Sequence, residues 1–249
     1  MAPRGLKTAI ASGSGKLVKN GKFSGFRATD SNGKPTGPLM RGITKLLETR
    51  LYSDAELPTE CFGFSGWKAG GLARGRAIDA QVSRLASASA SKRESQSKYK
   101  LTTLAFHALK RLKLEPLCGQ RVVAAARRNL ATAADVIAYN PETHALVVVE
   151  LKTGYSGSRT LACASPRGTP RKMQPPLSRA TDCVLHRHMA QLTVTRALLL
   201  EEREFKDILK RYDLSTEGVL LYVDQEKTEL HTQQDWWTKR GKTLLDRIT

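Results

Sequence analysis

The stretch TAADVIAYNPETHALVVVELKTG, residues 132–154, decides the fold of this chain. It holds two runs with strand character, residues 133–139 and 145–151, on either side of a turn signal at Asn140-Pro141. The second run is rich in β-branched and aliphatic residues, which is typical of a buried central strand. The sequence therefore predicts a β-hairpin at the centre of a sheet.

Charged residues occur at the end of this otherwise apolar second run. Glu150 and Lys152 share one face, because side chains alternate along a strand. A four-residue loop leaves Asn140 opposite Ala145. The antiparallel register then puts Asp135 directly across from Glu150. A loop two residues longer keeps that parity, whereas a slip of one residue puts Asp135 on the other face. We expect two carboxylates and an amine to converge at one edge of the sheet.

This convergence has a chemical meaning. Two facing carboxylates repel each other, so the pair needs a cation or a proton between them. Hard oxygen ligands, with positions left open for water and phosphate, suit Mg²⁺ or Mn²⁺. The pattern indicates metal-assisted phosphodiester hydrolysis, with Lys152 positioning the water, helping to deprotonate it or neutralising the phosphate. The alternative is an exposed hairpin end with an ordinary ion pair between Glu150 and Lys152.

The arrangement resembles the core motif of the PD-(D/E)XK nuclease superfamily. The resemblance rests on Asp135, then fourteen residues, then Glu150-Leu151-Lys152 after an apolar run, and on a following helix that carries Gln191. It implies a restriction-endonuclease-like core in which Asp135, Glu150 and the backbone carbonyl of Leu151 bind the metal. It also implies catalytic roles for Lys152, which assists water attack, and for Gln191, which orients substrate or water.

Within the superfamily, the chain is most similar to the lambda-exonuclease and RecB-like branches. In these branches a Gln on the helix after the E-x-K strand lies at the active site, in the pattern Q-x-x-x-Y. Gln191 matches the Gln, whereas Thr195 stands in the place of the Tyr and Ala134 in that of the usual Pro before the first acid. Many members take a further acidic metal ligand from a helix before the sheet, and the resemblance gives that role to Asp79, on a helix predicted over residues 70–86. A surface aspartate paired with a neighbouring arginine is the alternative for Asp79.

The composition points to a polyanionic partner. The 249 residues include 41 Lys and Arg against 23 Asp and Glu, which gives a formal net charge of +18. Such a charge predicts salt-sensitive binding, by default to DNA. No apolar run approaches the roughly twenty residues of a membrane-spanning helix, so we expect no membrane partner. The four cysteines form no C-x-x-C pair, which predicts reduced thiols in an intracellular protein rather than a zinc site.

The N-terminal part differs in composition from the rest. Residues 1–42 are rich in Gly, Ser, Lys and Pro with little periodicity, and they predict a disordered basic arm before a nuclease domain over residues 43–249. The first 29 residues contain no acid, as in an organellar transit peptide, but their glycines argue against an amphipathic helix. We expect a nuclear or nucleoid-associated protein, with mitochondrial targeting as the lesser alternative.

The predicted order of elements is helix, helix, strand, strand, strand, helix, strand, helix, which indicates an α/β fold with a central mixed sheet flanked by helices. The serine-rich residues 87–98 are expected to form a loop, and the first strand is expected over residues 121–126. On the helix predicted over residues 182–200, a polar face exposed to solvent is the alternative for His188 and Thr195. An irregular basic stretch, residues 155–179, is expected to be a mobile lid or DNA clamp, with a disordered insertion as the alternative. The candidates for DNA contacts are basic or polar residues near the predicted site: Arg127, Arg128, Arg159, Arg167, Arg171, Lys172, Arg179 and His188.

Together these features predict a Mg²⁺-dependent deoxyribonuclease, exonuclease-like on duplex or end-containing DNA. A structure-specific endonuclease such as a junction resolvase would use the same acids. A non-catalytic basic DNA-binding protein would have the same charge and need none of the acids. The sequence leaves open the oligomeric state, the polarity of cleavage and the choice between DNA and RNA.

Overall fold

A computed structural model of the chain describes residues 1–11, 16–20, 23–29, 35–62, 67–155, 157–224 and 227–249. The helices among these residues are α1 (Leu6–Ala11), α2 (Ile43–Arg50), α3 (Trp67–Ala86), α4 (Ala90–Gln96), α5 (Lys100–Arg111), α6 (Val184–Leu199), α7 (Arg203–Tyr212), α8 (Asp235–Thr238) and α9 (Gly241–Ile248). The strands are β1 (Lys16–Asn20), β2 (Phe23–Thr29), β3 (Pro35–Gly42), β4 (Glu115–Ala125), β5 (Leu130–Asn140), β6 (Ala145–Thr153), β7 (Ser215–Val223) and β8 (Thr228–Thr232).

These strands form one mixed sheet. Their order is β1-β2-β3-β5-β6-β7-β8, and β4 pairs with the remaining edge of β5. The pairs β5–β6 and β7–β8 are antiparallel, whereas β3–β5 and β6–β7 are parallel. Two strands in parallel need a long crossover, and α6 and α7 supply it between β6 and β7. The predicted α/β class, a mixed sheet flanked by helices, is confirmed.

The hairpin of β5 and β6 has the predicted register. Asn140 pairs with Ala145, and the ladder ends one residue pair before Asp135 and Glu150. Beyond that point β5 pairs with β3 instead of β6. The two central strands therefore separate at the two acids, which opens a gap in the sheet at the predicted site.

Apolar side chains cover both faces of the sheet. One cluster packs α6, α7 and α9 against it through residues such as Leu192, Phe205 and Leu244. The other packs α3 and α5 through residues such as Ile78 and Leu109. Each such burial contributes about 1.5–3 kcal/mol, which fixes the helices that carry the candidate site. Within the described part of the chain, no helix is both long and apolar enough to cross a membrane.

The N-terminal segment differs from the disordered arm expected over residues 1–42. Leu6 and Ile10 lie one turn apart on α1 and are fully buried in the main core. The carbonyl of Ile10 accepts a hydrogen bond from the buried side chain of Arg121. Strands β1, β2 and β3 follow as an antiparallel set. The composition of the segment did not predict α1, because only two apolar residues at helical spacing are needed to pack this short helix against the core. Residues 12–15, 21–22 and 30–34 of the expected arm lie outside the described residues.

A second difference lies in the serine-rich segment over residues 87–98, which the sequence predicted to be a loop. It contains α4, and Ser89 caps this helix by accepting a hydrogen bond of 3.4 Å from the backbone N–H of Lys92. Serine favours helix N-termini as well as loops, so its frequency here indicated the cap rather than the absence of a helix.

Candidate active site

Glu150 ends the apolar run of β6 with a side chain that is almost fully buried, since the residue is only 1% exposed. Its Oε1 accepts hydrogen bonds from Lys152 Nζ at 2.6 Å and from Gln191 Nε2 at 2.7 Å. Its Oε2 is buried and has no hydrogen-bond partner among the described residues. A buried polar atom without a partner is costly, so this oxygen is suited to a ligand that the protein itself does not supply.

Asp135 lies on β5 at the gap in the sheet, and both of its oxygens are held. Oδ1 accepts a hydrogen bond of 3.1 Å from Gln120 Nε2, and Oδ2 accepts one of 2.9 Å from the backbone N–H of Leu151. Burial and then the nearby charge of Glu150 raise the pKa of Asp135 well above its usual range, although the Leu151 N–H opposes this. The ionised form of the pair therefore needs positive charge close by.

Lys152 supplies part of that charge. Its Nζ donates to Glu150 and also, over 3.0 Å, to Gln191 Oε1. Burial lowers the pKa of Lys152, but the carboxylates of Glu150 and Asp135 outweigh it, and the net pKa is raised. The amine is therefore held as an ammonium between these carboxylates.

Asp79 approaches the same place from α3. Burial raises the pKa of Asp79 to about 6, while the ammonium of Lys152 lowers it and Glu150 raises it further. No described side chain forms a salt bridge with Asp79, and its neighbour Arg76 is exposed. The pairing with an adjacent arginine, which was the alternative interpretation, is thus not seen in the described part of α3.

The close approach of α3 to the sheet depends on one glycine of β4. A Cβ atom built on Gly119 would lie 2.5 Å from Ser83 Cα, which is closer than real Cβ contacts. Ser83 follows Asp79 by one helical turn, so this contact sets the height of Asp79 above the sheet. A glycine in a strand often marks such a close approach.

Two of the residues predicted to contact DNA, Arg159 and His188, have buried side chains. Arg159 bonds Glu229, lies 3.9 Å from Asp224 through Nη2 and Oδ2, and stacks its guanidinium 4.4 Å from the centroid of the Tyr222 ring. A guanidinium in a proline- and serine-rich segment suggests an exposed loop, but its acidic partners lie far along the chain, on and before β8. Arg159 therefore joins the stretch after β6 to the edge of the sheet.

His188 is the second of these. Its Nδ1 lies 2.9 Å from the hydroxyl of Tyr222, and its ring packs 4.7 Å from that of Tyr155. Burial, and then the charge of Lys152, lower the pKa of His188 well below its usual value, so the ring is neutral. The alternative, a polar face of α6 exposed to solvent, is not seen for His188 and Thr195, since both are buried.

The other predicted DNA contacts remain on the surface to different degrees. Arg128 is engaged by the carboxylates of Glu201 and Asp246, whereas Arg127 is exposed. The basic residues in the stretch between β6 and α6 are exposed: Arg167, Arg171, Lys172 and Arg179.

The stretch that carries these four residues has local order without helix or long strand. Its backbone forms isolated bridges, such as Lys172 with Thr181, and Met173 and Leu177 are buried beneath it. Asp182 at its end is fully buried and holds Arg187 at 2.6 Å. The exposed basic residues therefore lie on a segment that buried side chains and backbone bridges hold against the rest of the protein.

Sequence reasoning missed Gln120 at the site. The first strand was expected to begin at Arg121, but β4 begins at Glu115 and pairs Gly119 with Val136, which brings Gln120 beside Asp135. The hairpin register of β4 with β5 was the signal that could have found it. This signal is weak in the sequence, because Gly119 followed by the polar Gln120 interrupts the apolar pattern that marks a strand.

Comparison with known proteins does not assign the chain to a family: no family model matches it, and no curated protein matches it.

Among the described residues, no group of three or more His, Cys, Asp or Glu side chains lies close enough together to hold a metal ion. The structure brings together Glu150, Lys152 and Gln191 by direct hydrogen bonds, with Asp135 joined to the backbone of Leu151.

Proposed function

We propose that this protein is a Mg²⁺-dependent deoxyribonuclease that resembles the PD-(D/E)XK superfamily, with Mn²⁺ able to replace Mg²⁺ and with exonuclease-like action on DNA ends. The observation that carries the proposal is Glu150 Oε2, a buried carboxylate oxygen with no hydrogen-bond partner in the described part of the chain, at the gap where Asp135 is also held. An ordinary surface ion pair would not bury its acid in this way.

The donor set fits a hard cation. Mg²⁺ is usually bound through one or two carboxylates together with waters and substrate phosphate, so it does not require a cluster of three acids. Glu150 and Asp135 would supply the two carboxylates, the Leu151 carbonyl a neutral oxygen, and Asp79 a further carboxylate. When bound, the metal would lower the pKa of its water and stabilise negative charge developing on the phosphate.

The remaining residues have roles that follow from their contacts. Lys152 Nζ bonds Glu150 and Gln191 beside the proposed metal position, so we assign it to neutralising the phosphate or to orienting the attacking water and helping to deprotonate it. Gln191 bonds both Glu150 and Lys152 and fixes their separation. The net charge of +18 and the exposed basic residues between β6 and α6 would hold the DNA backbone without reading its sequence.

The test is cleavage of end-labelled linear duplex DNA and of closed circular DNA, with Mg²⁺ or with EDTA, at matched levels of DNA binding. It compares the wild type with Lys152→Ala and with Lys206→Ala. Lys206 is an exposed lysine in the second E-x-K triplet of the chain, Glu204-Phe205-Lys206, which lies on α7. It is therefore a control with the same local pattern and no place in the site.

Loss of the linear substrate alone, dependent on Mg²⁺ and abolished only in Lys152→Ala, would support an exonuclease that uses this site. Nicking of the circular DNA would instead indicate a structure-specific endonuclease. DNA binding without cleavage in Mg²⁺ or Mn²⁺ would refute the enzyme and leave a basic DNA-binding protein.

A further inference from the structure

Gln120 lies next to Asp135 in the neighbouring strand. The ladder of β4 and β5 pairs Gly119 with Val136 and Arg121 with Ala134, and Gln120 stands between these pairs. Its Nε2 donates a hydrogen bond of 3.1 Å to Asp135 Oδ1. No residue of the E-x-K pattern makes this contact.

The backbone at Gln120 has an unfavourable conformation. Its φ is +49°, in the left-handed region that glycine and asparagine tolerate better than a longer side chain. Such a conformation costs free energy and persists only where the surroundings hold it, which is frequent at functional sites. A glycine at this position would relieve the backbone but would lose the amide.

The contact from Gln120 completes the fixation of Asp135. The Leu151 N–H already holds Oδ2, so a second donor on Oδ1 fixes the plane of the carboxylate and not only its position. Each carboxylate oxygen can accept more than one hydrogen bond or ligand, so both remain able to bind a cation. Outer contacts of this kind orient metal ligands.

We propose that Gln120 is a positioning residue that fixes the orientation of the Asp135 carboxylate through β4. The role assigned to that carboxylate in binding metal rests on the proposed function. The orientation itself does not, and it can be measured without metal or DNA.

The experiment compares Gln120→Met, which keeps the length of the side chain without a donor, with Gln120→Gly, which also relieves the positive φ. The first readout is the ¹H resonance of the Leu151 amide in the metal-free protein, with Asp135→Ala as the reference for a lost bond. Both Gln120 variants should move this resonance toward the Asp135→Ala value. Gln174→Met, at an exposed glutamine, should leave it in place.

The second readout is Mn²⁺ affinity, which should fall about 10-fold or more in both Gln120 variants, with the KM for DNA unchanged and kcat reduced. Gln120→Gly should melt at or above the wild-type temperature, so its losses would not reflect unfolding. An unchanged Leu151 resonance in both variants overturns the proposal. If the wild type neither binds Mn²⁺ nor cleaves DNA, the proposed function fails, and the Leu151 resonance still decides whether Gln120 orients Asp135.

Discussion

Lys152 Nζ lies 2.6 Å from Glu150 Oε1 at the end of β6, and Gln191 donates to the same oxygen of Glu150 while accepting from Lys152. The three side chains form a closed triangle of hydrogen bonds in which only one oxygen of Glu150 takes part. The ammonium supplies the counter-charge that the buried carboxylate needs, and the second oxygen stays available. Stability and the proposed chemistry therefore depend on the same pair.

The first prediction concerns that pair. Lys152→Met should destabilise the protein, because it leaves the Glu150 carboxylate buried without its ammonium. Removing one partner of a buried pair costs about 3–5 kcal/mol, and the 17% exposure of the Lys152 side chain reduces our expectation to about 2–4 kcal/mol. Urea denaturation measures the change. The double variant Glu150→Gln/Lys152→Met should recover most of the loss, since it removes both charges; equal destabilisation of the single and double variants would contradict this.

The second prediction concerns the pH dependence of the free energy of unfolding. Burial raises the pKa of Asp79 to about 6 from 3.8, so folding disfavours its ionised form. Its contribution to stability is therefore fully present below pH 3.8 and is lost as the pH rises through 6. Asp79→Asn does not titrate, so it should match the wild type near pH 4 and exceed it at pH 8. We expect a gain of about 1–2 kcal/mol after allowance for partial exposure.

Thermal unfolding at a series of pH values would check the Asp79 prediction. The exposed Asp54 gives a matched control, and Asp54→Asn should follow the wild type throughout. Mg²⁺ at pH 8 should stabilise the wild type more than Asp79→Asn, if Asp79 lies near the bound cation. A gain of the same size at pH 4 and pH 8 would show that ionisation of Asp79 does not cause it.

The third prediction concerns the packing of α3. Gly119→Ala should push α3 away from β4, because its Cβ would meet Ser83 Cα at 2.5 Å. Backbone atoms cannot rotate out of the way, and such overpacking costs about 1–3 kcal/mol. Gly75→Ala lies on the same helix with only an ordinary contact of 3.4 Å to Thr153 Oγ1, so it should instead stabilise by roughly 0.5–1 kcal/mol. Chemical denaturation of both variants distinguishes them, and a neutral Gly119→Ala would mean that α3 shifts freely.

The sequence predicted the part of the site that lies on consecutive strand residues. The apolar run, the turn at Asn140 and the alternation of side chains together determine the register that brings Asp135 and Glu150 to the same level. Glu150 and Lys152 share a face by alternation alone. Glu150, Lys152 and Gln191, three of the four predicted catalytic residues, form one hydrogen-bonded group, and Gln191 was named from the resemblance rather than from periodicity.

The parts that sequence could not predict depend on contacts between distant segments. The positive φ of Gln120 has no signature, because the residue is neither Gly nor Asn. His188 suggested an exposed polar face, yet α6 is covered on several sides, and the ring finds the hydroxyl of Tyr222 on β7. A helix that is buried nearly all round shows no clear apolar stripe.

The last prediction separates a structural arginine from those assigned to DNA. Arg159→Ala should remove the guanidinium that bonds Glu229 and lies near Asp224, and it should expose the ring of Tyr222. Breaking this pair should destabilise the protein by about 2–4 kcal/mol, less than for a fully buried pair because Glu229 is partly exposed. Urea denaturation gives this value.

The exposed Arg171 should behave in the opposite way, since it faces solvent from the stretch between β6 and α6. Arg171→Ala should leave stability within about 0.5 kcal/mol of the wild type. It should also weaken DNA binding and reduce the dependence of log K on log salt concentration by about 1, the value for one lost phosphate contact. Arg159→Ala, measured below its melting temperature, should keep the wild-type salt dependence. If Arg159→Ala instead lowers that dependence without loss of stability, its guanidinium contacts DNA and the buried ion pairs are not its main role.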